Sequence, residues 1–461
     1  MIIRVLGFLI ALCISGGAFA QSVPQAFDML KPAENGEVVM SADGTRVALV
    51  AAATDRYCFK QSGAMRELGD LDCAVSRQRY RTKHTIFIYD LETSQTLKSM
   101  PLPEDYLVSW IDWVNNDRLL AAIHKPQLGK RYGGVRIASI PVDTQDYTFL
   151  FQDREDVLRA NKYMARITDF LPDDRNHVLL PAKDTGELDL WKVNVVSGTS
   201  VKVASGKKGT FRWFTNAKGE PALRFDCVGV YCQTLKVFHS GDGITWDFVK
   251  SFPIKPLQAR YDYEFWPVAA SPNPNQFYIY ADRDDEVSAA IKLYDVNENR
   301  VVKTMFQDPN WDVDAVFIDT YTHDYLGVQY NKDTLTYEMK DADIQAKIDT
   351  LIKQFGGKSN VDIQQFNMDS QSALVYVSAP NNPGEYFHYD LKTETLSFLF
   401  PRRPSLDGLL LTETDALTVA TRDGTEIRAY LTRPEGVAAD KQIPLVVLPH
   451  DGPEERDFYD Y

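Results

Sequence analysis

Short stretches in which apolar and polar residues alternate recur along the chain from about residue 35 to residue 405. A period of two puts successive side chains on opposite faces of a strand, so each stretch predicts a β-strand. The Asn/Asp/Gly clusters between them predict hairpin turns. One theme repeats. A turn leads into a strand in MSADGTRVALVAA (Met40 to Ala52), WVNNDRLLAAI, FLPDDRNHVLLPA, ASPNPNQFYIYAD and FNMDSQSALVYVSA. A companion strand, mostly ending near Tyr-Asp, follows in TIFIYDLETSQTL, ELDLWKVNVVSGT, AIKLYDVNENRVV and EYFHYDLKTETLS.

Aligned on these companions, Asp90, Trp191, Asp295 and Asp390 fall roughly 100 residues apart. A four-stranded propeller blade takes roughly 40 to 50 residues, so each interval holds two blades. The stretch predicts a mainly β architecture, a seven-bladed β-propeller over residues 21–405. An array of β-sandwiches is the competing arrangement. The regular spacing, with no Pro/Gly/Ser linker, favours the propeller. One segment breaks the rhythm: in KDADIQAKIDTLIKQFGGK, Ile344, Ile348, Leu351, Ile352 and Phe355 share one helical face. Asp341 or Asp343 is the expected cap and Gly356 the stop, and the helix is expected to pack on the propeller rim rather than bind a partner.

Composition narrows the functions. Aromatic content of 12% suits pleated, strand-rich surfaces. A net charge of −14 repels phosphate backbones and argues against nucleic-acid binding. Residues 1–20 read as a signal peptide, with Arg4 before an apolar core (Val5 to Ile14) and Ala18-Phe19-Ala20 as a cleavage site. The alternative, a membrane anchor, is disfavoured by the shortness of that core. The mature protein is therefore expected to be exported, periplasmic or secreted, without stable membrane insertion.

Four cysteines remain after cleavage, and an even number in an oxidising compartment points to disulfides. Local pairing, Cys58–Cys73 and Cys227–Cys232, is the simplest arrangement; zinc would need CxxC spacing or clustered histidines, which are lacking. The acidic run DRDDE (282–286) lacks the glycine and spacing of a calcium loop. No Gly-rich phosphate loop and no G-x-S-x-G nucleophile elbow occurs in the 461 residues. Neither a metal nor a cofactor is expected, and nothing in the pattern specifies an oligomeric state.

After FPRRPSLDG the pattern changes. ALTVATRDGTEIRAYLTRPEG (Ala416 to Gly436) predicts two strands joined at Arg422-Asp423-Gly424. The continuous apolar run Pro444 to Leu448 predicts a strand buried on both faces, as in an α/β sheet. A short hairpin finishing the propeller would explain the first feature but not the second.

The run RDGTEIRAYLTRPEG…IPLVVLPHDGPEERDFYDY resembles the opening of the catalytic domain in the prolyl oligopeptidase family of serine peptidases, nearest its acylaminoacyl-peptidase-like and dipeptidyl-peptidase-like branches. That resemblance implies an N-terminal propeller followed by an α/β-hydrolase, of which residues 406–461 would be the first part. It implies a Ser-Asp-His mechanism on short peptide substrates, with the triad downstream of Tyr461 and so absent from this chain. His450 and Pro453 would shape the turn after the strand, and the Gly452 N–H would face the oxyanion. Asp451 stands where the family has glycine, a carboxylate beside developing negative charge. Arg456 and Asp457 match a charged pair of structural role. The competing functions are a non-catalytic propeller that binds peptides or proteins, and an inert truncated product.

Overall fold

The computed structural model describes residues 33–59, 65–67, 78–103, 106–125, 134–161, 164, 166–184, 186–230, 232–253, 265–281, 288–409, 411–438, 440–450 and 456–461, with side chains between 54 and 81 excluded. These residues form seven small antiparallel sheets and one separate hairpin. Every sheet is built of strands consecutive in sequence, which is the arrangement of propeller blades.

Blade 1 runs from Asn35–Met40 to Gln95–Pro101, blade 2 from Leu107–Asn115 to Thr148–Phe149, and blade 3 from His177–Lys183 to Ser200–Ala204. Blade 4 runs from Thr210–Thr215 to Asp247–Pro253, and blade 5 from Trp266–Ala270 to Arg300–Phe306. Blade 6 runs from Val313–Ile318 to Leu335–Met339, and blade 7 from Asn360–Asn367 to Thr395–Pro401. Asp90, Trp191, Asp295 and Asp390 lie on the third strands of blades 1, 3 and 5 and of blade 7, so two blades do separate successive markers. In blade 3 a single bridge, Asp169 to Leu179, stands in for a first strand.

The core is divided among the blade junctions. Seven apolar clusters each join neighbouring blades, for example Ile86 and Ile88 with Ile111 and Trp113 between blades 1 and 2. Leu171 and Leu190 meet Trp213 between blades 3 and 4. A sheet packed on both sides cannot keep a polar face, so the second strands read as nearly continuous apolar runs, such as Ser372–Ala379. The outermost strands face solvent, as Arg300–Phe306 shows.

Blade 1 meets blade 7 through Val38, Met40, Val47 and Leu49 packed on Leu374 and Tyr386. Asn35 fastens this seam: its N–H donates to Arg402 O at 3.0 Å and its Nδ2 to Pro401 O at 2.8 Å. The ring therefore closes by side-to-side packing of blades 7 and 1, each of which keeps its own consecutive strands.

The helix forms at Ala342–Gln354, capped by Asp341, whose carboxylate accepts the Asp343 and Ile344 N–H groups. Gly356 stops it with φ +69°. Ile344, Ile348 and Leu351 are buried in the junction of blades 6 and 7, where the helix follows the third strand of blade 6. It is a packing element, as the periodicity predicts.

The hairpin also forms as predicted, from Thr414–Ala420 and Glu426–Thr432. The expectation of a buried strand at Pro444–Leu448 does not hold. These residues pair with no described strand, and Leu445 to Leu448 are 75–86% exposed. Burial on both faces needs sheet neighbours, and among the described residues the hairpin's two strands pair only with each other. No helix among the described residues is long and apolar enough to cross a membrane.

Candidate functional site at the channel mouth

First strands lie innermost, since those of blades 1 and 2 contact each other, as do those of blades 4 and 5. They wall the central channel. The chain after blade 7 returns to one mouth of it. The hairpin leans on blade 6, where Arg428 pairs with Asp333 and the Tyr430 hydroxyl donates to the same carboxylate at 3.4 Å.

Residues 456–461 then lie across blades 6 and 7. The Arg456 guanidinium stacks over Trp311 at 5.1 Å and Phe458 at 4.5 Å. It donates to Asn331 O at 2.5 Å and Lys332 O at 2.9 Å. Tyr459 is 8% exposed, its ring 5.9 Å from that of Tyr430 and its carbonyl bonded to Asn360 Nδ2 at 2.6 Å. The structural role expected for Arg456 is what its contacts show.

Around this mouth stand three carboxylates that pattern reasoning missed: Asp314 on blade 6, Asp362 on blade 7 and Glu37 on blade 1. Partial desolvation raises the pKa of all three, although only Asp362 is part-buried and Glu37 and Asp314 stay solvent-exposed. Arg456 opposes the shift at Asp314, while Asp312 and Asp362 add to it. At Asp362, hydrogen bonds from Gln364 and Gln329 oppose it and Asp460 adds to it. At Glu37 the opposing charge is Arg402.

Glu37 sits at a bulge between Gly36 and Val38 with φ +38°, a left-handed conformation uncommon outside glycine. Bulges re-aim side chains, and this one carries a carboxylate. Arg402 donates to the Tyr376 hydroxyl at 3.1 Å. A cavity of about 320 Å³ opens between the first strands of blades 6 and 7, lined by Gln329, Asp362, Gln364, Phe317 and Phe366. The arrangement suits a cation with an apolar attachment, because a positive group would stabilise carboxylates that burial disfavours.

Away from these three, blade 2 carries another acid, Asp112, half-buried on its first strand and pushed up to about 6 by burial, with the Trp113 N–H bond opposing. At the start of the same strand, His84 Nδ1 accepts the Val108 N–H at 2.9 Å, and burial and the neighbouring His124 lower its pKa. Ser109 Oγ lies 2.9 Å from His124 Nδ1. Ser109 sits on a strand and not on the strand-to-helix elbow that presents a serine nucleophile. Among the described residues no group of three or more His, Cys, Asp or Glu is arranged to hold a metal ion.

Of the sequence-derived site residues, His450 is described and exposed, while Asp451, Gly452 and Pro453 lie outside the described residues. Cys227 and Cys232 form a disulfide with Cα atoms 4.8 Å apart. The Cys58 side chain and Cys73 lie outside the described residues, as do residues 1–20 and 282–286. A signal for the missed acids does exist: Val313-Asp314, Val361-Asp362 and Ile111-Asp112 each place an aspartate directly after an apolar residue on a blade's first strand.

No protein-family model matches the chain. A stretch of 190 residues is 30% identical to dipeptidyl aminopeptidase BIII of Pseudoxanthomonas mexicana, covering 40% of this chain and 27% of that protein. The chain's likeness is to the prolyl oligopeptidase family of serine peptidases. Acylaminoacyl peptidase of Pyrococcus horikoshii superposes with a TM-score of 0.54 at 11% identity, over 92% of this chain and 61% of that one. An acylaminoacyl peptidase in complex with Z-Gly-Gly-Phe-chloromethyl ketone gives 0.52 at 12% identity, over 90% and 60%. The chain thus spans less than two thirds of these prolyl oligopeptidase-type proteins, and what they share with it in three dimensions is the fold.

Proposed function

We propose that this chain is the propeller-bearing part of an exported serine peptidase that acts on short peptides, and that it lacks the Ser-Asp-His triad. The observation that carries the reading is the channel mouth. Glu37 and Asp314, exposed on the inner strands, and part-buried Asp362 gather at the mouth where residues 456–461 lie, the segment that follows His450 to Pro453 in the sequence. Acids in this state suit the ammonium group of a peptide amino terminus, and the apolar wall at Phe317 and Phe366 suits its first side chains. The resemblance gives Gly452 N–H the oxyanion role, where a donor aimed at developing charge contributes most.

A fluorophosphonate serine probe tests the catalytic half. We expect no labelling of the 461-residue chain and labelling of a form extended past Tyr461; labelling of the shorter chain, or of neither, would overturn the assignment. Calorimetry with a free and an acetylated tripeptide tests the binding half: only the free amino terminus should bind, and equal binding counts against it. The intact mass of protein recovered from the periplasm tests export and cleavage before Gln21.

A further inference from the structure

On the face opposite the mouth just described, each blade turns from its first strand to its second. The blade 6 turn, Asp319 to Asp324, is the longest such turn between the strands bounded here, with six residues. It lines a small cavity with Ala42 of blade 1 and Met368 and Asp369 of blade 7, through Asp319, Thr320 and Tyr321. The same turn also lines a cavity of about 270 Å³ whose other walls are Leu171 of blade 3 and Gly219 and Pro221 of blade 4. Tyr321 and His323 are its contribution there. The lining includes no described residue of blade 5, which lies between blades 4 and 6 around the ring. A loop that touches blades 7 and 1 on one side and blades 3 and 4 on the other has to cross the channel opening.

The loop is stiff. Asp319 N–H donates to Asp324 O at 2.9 Å, and His323 N–H donates to Asp319 O at 3.0 Å. The Asp319 carboxylate accepts from Tyr321 N–H at 2.9 Å and Thr322 N–H at 2.7 Å. His323 closes the turn with φ +58°. With its backbone bonded internally, the loop holds its shape while the Tyr321 ring stays 45% exposed at the tip.

We propose that the Asp319–Asp324 turn is a strap across this mouth, with Tyr321 and His323 as the barrier that decides what enters the channel from this side. Small solutes pass it; extended peptides enter from the opposite mouth, beneath residues 456–461. The strap concerns access alone and stands whether or not the peptidase reading does.

Two measurements test it on the full chain. A Tyr321→Cys/Lys218→Cys pair, treated with a short bismaleimide, should join blades 6 and 4, seen by peptide mapping; no cross-link would overturn the crossing. For access, Gln364→Cys places a thiol on an exposed position of the channel wall. Labelling by N-ethylmaleimide and by a dextran-conjugated maleimide is quantified by mass spectrometry on the peptide that contains residue 364. Adding Tyr321→Gly/His323→Gly keeps the Asp319 hydrogen bonds and removes the barrier. The bulky reagent should then react about tenfold faster, as expected when a minor open state becomes the main one, with the small reagent unchanged. Unchanged bulky labelling in a variant with native circular dichroism would overturn the proposal.

Discussion

The carbonyl of Tyr459 accepts a 2.6 Å hydrogen bond from the side-chain amide of Asn360, ninety-nine residues earlier in the chain. The same side chain accepts the Leu335 N–H of blade 6 through its Oδ1 at 3.1 Å. One buried amide thus ties blade 7, blade 6 and the final segment together. Asn360→Ala leaves a part-buried donor and a buried acceptor without partners, which costs about 1–3 kcal/mol. We expect a lower urea midpoint and faster trypsin cleavage after Arg456, read by mass spectrometry. Asn360→Asp keeps the acceptor for Leu335 and loses the donor to Tyr459. It should therefore release the tail more than it loosens the blade junction.

The seam between blades 7 and 1 depends on a glycine. Gly384 has φ +111°, and a Cβ there would land inside van der Waals distance of the Tyr376 phenol. That phenol receives Arg402, and the Gly384 carbonyl accepts the Arg402 N–H at 2.8 Å. Gly384→Ala should cost about 2–4 kcal/mol through strain and displacement of Tyr376. Adding Tyr376→Phe removes the nearest atom and should recover part of the loss. Equal midpoints for Gly384→Ala and the unaltered chain would contradict the steric account.

The disulfide Cys227–Cys232 closes a tight turn between two strands of blade 4 and packs against the apolar junction with blade 5. A short loop loses little chain entropy when linked, so Cys227→Ser/Cys232→Ser should cost about 2 kcal/mol. Denaturation with and without reductant checks this: reductant should shift the midpoint of the unaltered chain by more than that of the blade 4 variant.

The propeller was legible because its strands repeat a local pattern that tertiary packing reinforces. The companion strands ending near Asp90, Asp295 and Asp390 stand out because their Tyr-Asp ends hold turns: Asp90 accepts the Thr93 N–H, and Asp390 accepts the Lys392 and Thr393 N–H groups. Blades 4 and 6 show neither repeat and follow only from spacing, while blade 2 shows its turn-to-strand unit WVNNDRLLAAI without a Tyr-Asp companion. The apolar run Leu445 to Leu448 misled because composition reports fitness for burial, while burial itself depends on neighbouring strands. The grouping of the acids at the mouth was illegible for a related reason. Glu37, Asp314 and Asp362 come from three blades, and only ring closure between blades 7 and 1 brings them to one opening.

Asp112 makes a pH dependence that can be signed. Its folded-state pKa stands at about 6 against an ordinary 3.8, because burial disfavours the ionised form. The fold therefore binds this proton more tightly than the unfolded chain does. Its contribution to stability is fully present below pH 3.8, declines as pH rises through 6, and above that is a standing cost. At 1.36 kcal/mol per pKa unit, less an allowance for its partial exposure, that cost is about 1–2 kcal/mol. Asp112→Asn removes the charge and keeps the oxygen that accepts the Trp113 N–H at 2.8 Å. The variant should melt higher than the unaltered chain at pH 7.5, with the difference shrinking toward pH 4.5. The acids at the mouth are common to both proteins and cancel in the comparison. A difference that stays constant with pH would place the effect in packing and remove Asp112 from the titrating groups.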